Sequence, residues 1–133
     1  MPITVTHKDL IERALEEVET LTIDDACARL EDDNFQFVDL RDPRELQREG
    51  KVPGAFHAPR GMLEFWVDPS SPYYKEIFGE DKQFIFYCQS GWRSALATKA
   101  VQDMGMSNVS HIGEGFRGWK DAGAPTEEVA AKS

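Results

Sequence analysis

The sequence predicts an α/β protein built on a central, mostly parallel sheet of about five strands with helices on both faces. Three observations carry that expectation. Short apolar segments alternate along the chain with segments whose apolar residues recur at helical spacing. The clearest of the short segments, QFIFYC (83–88), is apolar without alternation, as a strand buried on both faces requires. Helical patterns stand between successive strand segments, and parallel strands need such crossover connections.

Thr6 with Asp9 three positions on forms a helix-capping pattern, and Leu10, Ile11, Ala14, Leu15 and Val18 follow at helical spacing, predicting an amphipathic helix over 7–18. Thr22 with Asp25 repeats the pattern, and Ile23, Ala26, Cys27 and Leu30 supply a second apolar face. Cys27 is thereby expected on a buried stripe, as a small core hydrophobe. FQFVDL (35–40) reads as a strand, followed by the turn-forming Asp-Pro pair and a brief helix, RELQRE, with Pro43 at its first position. AFHA (55–58) reads as another short strand. After QFIFYC a helix is expected from about Arg93 to Met104, burying Ala97, Ala100, Val101 and Met104. NVSHI (108–112) is the last strand, and a Gly-rich turn leads to a short helix around Trp119. PSSPYY (69–74) reads as an inserted loop and the tail TEEVAAKS (126–133) as frayed. There is no internal repeat, and 133 residues have room for one core, so a single domain over 1–133 is expected, its core at about 21–125.

Hydrophobic residues make up 41% of the chain and charged residues 29%, a balance that suits a soluble globular protein. The apolar runs are too short to cross a bilayer, so no membrane partner is expected. The N-terminal stretch MPITVTHKDLIERALEEVET is dotted with acidic residues and reads as no secretory leader. The two cysteines, Cys27 and Cys88, are 61 positions apart and fit neither a disulfide framework nor a CxxC metal or redox pair. A reducing cytoplasm is the natural setting. The net charge of −9 argues against a nucleic-acid partner, but it is unevenly spread. Residues 1–34 hold 3 of the 15 basic groups and 10 of the 24 acidic ones, whereas Arg41, Arg44, Arg48 and Arg60 gather in one stretch, with Arg93 and Arg117 further on. Such arginines either form a local cationic pocket for a small anion or serve as ion-pair partners.

Chemistry is concentrated at the end of QFIFYC. Cys88 stands at the carboxyl end of that strand, with Gln89, Ser90, Gly91 and Trp92 between it and Arg93, where the helix starts. In open α/β sheets ligands bind at this edge, and a helix N-terminus there offers unpaired N–H groups and partial positive charge. A thiolate is favoured in such a nest and becomes a nucleophile at neutral pH. Gly91 suits a tight turn at positive φ, and Arg93 adds charge or braces the loop.

At this point the chain resembles the rhodanese family over about Leu21 to Pro125. CQSGWRS fits the active-site loop CxxGxRS, whose first residue forms the persulfide, and VDLRDPREL (38–46) resembles a strand and turn that place Asp39, Arg41 and Glu45. GKVPGAFHAP (50–59) is similar to the Gly-His-Ile-Pro-Gly-Ala segment, and GFRGWKDAGAP (115–125) to the closing Gly, Trp, Gly and Pro. The resemblance implies the three-layer rhodanese-like fold. Lys51 departs from the usual histidine, leaving open the hydrogen bond that side chain makes. The segment 60–81 is longer and more aromatic than the minimal connection, and Arg60, Phe65 and Trp66 are candidates for a wall over the pocket, or for covering the core. Asp39 and Glu45 are expected to partner nearby arginines rather than move protons. Neither His57 nor His111, both at strand positions, reads as a dedicated general base.

The resemblance implies a two-step reaction in which the Cys88 thiolate takes the outer sulfur of a small anionic donor such as thiosulfate and passes it to a thiophilic acceptor. Cyanide, a small thiol or a protein cysteine would serve, and no metal or organic cofactor is needed. Two alternatives stand beside this. Cell-cycle phosphatases and arsenate reductases place five residues between Cys and Arg, making room for a tetrahedral oxyanion, whereas four separate Cys88 from Arg93. A non-catalytic rhodanese-like module that binds a protein partner commonly lacks the cysteine, which is present here.

Overall fold

A computed structural model describes residues 2–130. Helix α1 (His7–Glu17) starts where its capping residues require, since Thr6 Oγ1 accepts from the Asp9 amide while the Asp9 carboxylate accepts from the Thr6 amide. Of its predicted stripe Ile11, Ala14 and Val18 are buried, but Leu10 and Leu15 are each 45% exposed. The helix packs chiefly on α5 (Trp92–Asp103), and a single helical neighbour buries a narrow seam rather than a wide face. A two-residue strand follows, β1 (Thr20–Leu21), too short to show a period in sequence. Thr22 caps α2 (Ile23–Ala28) through the Asp25 amide. Cys27 is only half-buried, packed against the core's edge rather than within it as expected, because this six-residue helix points Ile23 and Ala26 inward. Burial and the nearby Asp24 push the Cys27 thiol up.

Strand β2 (Phe35–Asp39) leads into α3 (Pro43–Glu49), whose N-terminus is closed by a reciprocal Asp42–Glu45 capping box with Pro43 in the first turn. The remaining elements are β3 (Phe56–His57), α4 (Leu63–Val67), β4 (Gln83–Tyr87), α5, β5 (Val109–Ile112) and α6 (Gly115–Asp121). All five strands are parallel, in the order β1-β5-β4-β2-β3, with β4 between its two long neighbours. The strands alternate sides, so two cores form. Phe37, Ile85, Tyr87 and Ile112 meet Ile23, Ala26, Phe116 and Trp119 of α2 and α6 on one face. Val38, Phe84, Phe86 and Val109 meet Leu63, Val67, Ala97 and Val101 of α4 and α5 on the other. This is the three-layer α/β arrangement that the strand and helix patterns predict.

Three expectations need correction. Helix α5 buries Ser94, Ala95, Ala97, Thr98 and Val101, whereas Ala100 is half-buried and Met104, beyond the last helical residue, is 48% exposed. A helix that lies on the sheet and also carries α1 on its flank buries a broad face, which draws in the small polar residues. The loop expected at PSSPYY stands, but the segment 60–81 around it covers the core rather than walling the pocket: α4 and two short 3-10 turns, Arg60–Met62 and Glu76–Gly79, send Leu63, Val67 and Phe78 into the core. The tail, too, is held as far as it is described. Lys51 and Glu127 exchange backbone hydrogen bonds of 2.9 and 2.8 Å, Glu127 Oε1 accepts from the Gly54 amide, and the Trp119 indole donates to the Pro125 carbonyl at 2.6 Å. The last three tail residues lie outside the described ones. Among the described residues no helix is long and apolar enough to cross a membrane.

Candidate active site

Strand β4 delivers Cys88 to the N-terminus of α5. The thiol is 1% exposed, and its sulfur accepts from the Gly91 amide at 3.2 Å and the Ser94 amide at 3.3 Å. Gly91 is the N-cap of α5 and offers no side chain, so the Cys88 sulfur takes the place of a capping oxygen for the third residue of the helix. The amides of Ser90, Trp92 and Arg93 have no hydrogen-bond acceptor among the described residues. Gly91 sits at φ +92°, and a Cβ there would run into the Gly113 carbonyl oxygen, so both conformation and space demand glycine.

The back of the loop is fixed by α6. The amides of Phe116 and Arg117 donate to the carbonyls of Cys88 (2.8 Å) and Gln89 (3.1 Å), turning those carbonyls away from the sulfur. Gly115, at φ +65°, permits this approach, since a Cβ would meet the Gln89 carbonyl at 2.5 Å.

Beneath the loop lies a buried ion pair. Arg41 and Asp39 are fully buried, with Nη2 donating to Oδ2 at 2.8 Å and Nε to both carboxylate oxygens at 3.1 and 3.2 Å. The other Arg41 donors reach the Gly50 carbonyl at 2.7 Å and Gln89 Oε1 at 3.1 Å, and the guanidinium lies 4.2 Å above the Phe116 ring. Burial opposes the Arg41 charge, but the Asp39 carboxylate overcomes it and holds the guanidinium above its ordinary value. Burial, with Asp39 nearby, pushes the Tyr87 phenol well up, and its oxygen accepts from the Val52 amide. Arg93 turns outward and is gripped by Glu45 of α3 at 2.8 and 3.1 Å. That pairing holds the Glu45 carboxyl below the usual carboxylate range.

Cys88, Gln89, Gly91, Arg93, Asp39, Arg41 and Glu45 are thus tied together by hydrogen bonds and ion pairs around the loop, whereas Trp92 is exposed and Ser90 makes no side-chain bond among the described residues. Arg60, Phe65 and Trp66 do not join this network. Arg60 pairs with Glu64 at 2.7 Å, Phe65 is exposed, and Trp66 packs on the core against Phe56 under Lys75. Four of the six arginines are therefore ion-pair partners, Arg44 weakly with Asp42 at the surface. At the histidine-substituted position, Lys51 Nζ donates to the Ala55 carbonyl at 3.0 Å and pairs with Glu127.

Sequence reasoning passed over one group. Ser94 Oγ lies 3.6 Å from the Cys88 sulfur, 3.2 Å from the Gly91 carbonyl and 2.9 Å from His111 Nδ1, and His111 Nε2 lies 3.0 Å from Thr20 Oγ1. Burial pushes the fully buried His111 down to about 4, keeping it neutral. Ser94 was visible as the last residue of CQSGWRS, but His111 is remote in sequence, and only the β4–β5 pairing brings it alongside.

The rhodanese-like domain family matches residues 22–122 of this chain. Thiosulfate sulfurtransferase 16, chloroplastic, of Arabidopsis thaliana is 31% identical over 98 residues, covering 69% of this chain and 79% of its own. A Rhodopseudomonas palustris structure, described as a protein of unknown function and possible tyrosine phosphatase, is 53% identical with a TM-score of 0.93, covering 96% of this chain and 98% of its own. The human single-domain sulfurtransferase shares the fold at a TM-score of 0.67 and 22% identity, over 78% of this chain and 96% of its own.

Proposed function

Because the chain belongs to the rhodanese-like family, we propose that it is a sulfurtransferase in which Cys88 carries the sulfur as a persulfide. The observation that carries this reading is the Cys88 sulfur held by the Gly91 and Ser94 amides at the start of α5, with further amides of the loop free. Thiosulfate suits this site as donor. The Cys88 thiolate attacks its outer sulfur, the S–S bond of thiosulfate breaks, and sulfite leaves with the bonding electron pair. The terminal persulfide sulfur then bears the negative charge. The unpartnered loop amides stabilise it, each hydrogen bond to the charged group contributing roughly 1.5–3 kcal/mol. Cyanide, or the thiolate of a small molecule or protein, attacks that terminal sulfur and restores the Cys88 thiolate. A cytoplasmic setting, where acceptor thiols stay reduced, fits this cycle.

The description of the Rhodopseudomonas palustris protein makes phosphate-ester hydrolysis the second reading. Two features favour sulfur. Only four residues separate Cys88 from Arg93, and both Arg93 terminal nitrogens donate to Glu45. Thiosulfate-to-cyanide transfer and aryl-phosphate hydrolysis, measured side by side with Cys88→Ser as the blank, test the choice. Transfer that needs Cys88, without hydrolysis, is expected. Efficient Cys88-dependent hydrolysis without sulfur transfer would establish the phosphatase reading instead.

A further inference from the structure

A thiol that is 1% exposed must lose its proton before it can attack. Side chains from three elements line up from it toward solvent: Cys88 Sγ to Ser94 Oγ at 3.6 Å, Ser94 Oγ to His111 Nδ1 at 2.9 Å, and His111 Nε2 to Thr20 Oγ1 at 3.0 Å. Cys88, Ser94 and His111 are buried, whereas Thr20 is exposed. We propose that Ser94, His111 and Thr20 form a proton exit for Cys88, in which the His111 tautomer records whether Cys88 is a thiol or an anion.

The proton count closes. In the thiol state the Cys88 S–H points at Ser94 Oγ, the Ser94 hydroxyl donates to His111 Nδ1, and the His111 Nε2–H donates to Thr20. Departure moves one proton along each link: Cys88 gives its proton to Ser94, Ser94 gives its own to Nδ1, and the Nε2 proton passes by way of Thr20 to water. The chain ends with Ser94 donating to the Cys88 anion, Nδ1–H donating to Ser94, and Nε2 accepting from Thr20. No imidazolium is needed at either end, in keeping with a histidine whose burial disfavours the cation. The final arrangement also adds a hydroxyl donor to the two amides that hold the sulfur anion. His111 is a positioning residue here, since it acts on the sulfur through Ser94.

The charged and titratable groups around this chain are few. Arg93 is paired with Glu45, Arg41 with Asp39, Glu19 is exposed beside Thr20, and the His7 ring of α1 meets Trp92 of α5 in a tilted contact, ring centres 5.2 Å apart. His7 carries the imidazole nearest the loop outside this chain, so His7→Gln is the control.

This inference presupposes the nucleophilic Cys88 of the proposed function, but its test does not use sulfur transfer. In protein labelled with nitrogen-15 histidine, the His111 ring resonances report the tautomer. They are expected to move from the Nε2–H to the Nδ1–H pattern with the same midpoint as iodoacetamide alkylation of Cys88, and to be independent of pH over that range in Cys88→Ala. His111→Asn, checked for an unchanged fold by its spectrum, should slow alkylation at neutral pH about tenfold, the loss expected for one hydrogen bond to a charged group. In Ser94→Ala the same histidine substitution should add nothing, and His7→Gln should leave the profile in place. A His111 tautomer that stays constant across the Cys88 alkylation profile would overturn the proposal, as would additive effects of the Ser94 and His111 substitutions. Loss of sulfur transfer with the tautomer exchange intact would overturn the proposed function alone.

Discussion

Replacing Arg41 by methionine removes the cation at the centre of the network under the active-site loop. Asp39 would then keep a fully buried carboxylate with the Arg41 backbone amide as donor, and the Gly50 carbonyl and Gln89 Oε1 would lose donors at 2.7 and 3.1 Å. Removing one partner of a buried pair costs about 3–5 kcal/mol, against a total stability of about 5–15 kcal/mol for an ordinary domain. The Arg41→Met protein should therefore remain folded only marginally at room temperature. Urea unfolding measures this directly, as a lower midpoint with an unchanged slope. Removing the stranded charge as well, in Asp39→Leu/Arg41→Met, should restore a substantial part of the loss, because apolar replacement of a whole buried pair is often close to neutral. A loss below about 1 kcal/mol in the single variant would mean the pair behaves as a surface one, because surface pairs are worth that much. So would a double variant as unstable as the sum of the two single ones.

Acid should weaken the fold through His111, whose folded value of about 4 lies below the 6.5 of a free imidazole. The unfolded chain binds the extra proton in that window, so stability is full above about pH 6.5 and falls by about 3 kcal/mol as pH drops toward 4. Urea midpoints across that range should fall less steeply in His111→Asn, and parallel curves would contradict the assignment. Glu45, held low by Arg93, adds a second acid limb: its contribution is present above about pH 4.3, the unfolded value, and is lost as pH falls through the lower folded one. Glu45→Gln should remove that limb in the same titration, at a cost near neutral pH of about 1 kcal/mol or less because Arg93 is partly exposed. Gly91→Ala forces a side chain into positive φ and against the Gly113 carbonyl, so Cys88 alkylation should slow and thermal unfolding should shift down by several degrees, about 1–3 kcal/mol of backbone strain.

What the sequence made legible follows from the range over which each signal acts. The caps at Thr6 and Thr22 and the strand at 83–87 are written in neighbouring residues, and they stand where the pattern places them. The two-residue strands β1 and β3 exist only through the partners they bond, so Thr20–Leu21 gave no sign of itself and AFHA shrank to Phe56–His57. Leu10, Leu15 and Met104 share the helical spacing of core residues but face water, because spacing names a face and not what will cover it. At the site, the Cys88 loop and the Asp39–Arg41 and Glu45–Arg93 pairs lie within motifs of a few residues or between opposite charges, and chemistry alone proposes their roles. The link from Ser94 to His111 and Thr20 spans three separate elements, and no local pattern announces a contact between residues 17 and 91 positions apart.

On the proposed function Cys88 alone accepts and holds one sulfur. Incubating the purified protein with thiosulfate, removing the excess and weighing it intact tests that without any assumption about the acceptor. A mass gain of one sulfur atom is expected in the unmodified protein and in Cys27→Ser, lost on adding cyanide, with no gain in Cys88→Ser. A sulfur retained by Cys88→Ser, or lost from Cys27→Ser, would contradict the proposed function.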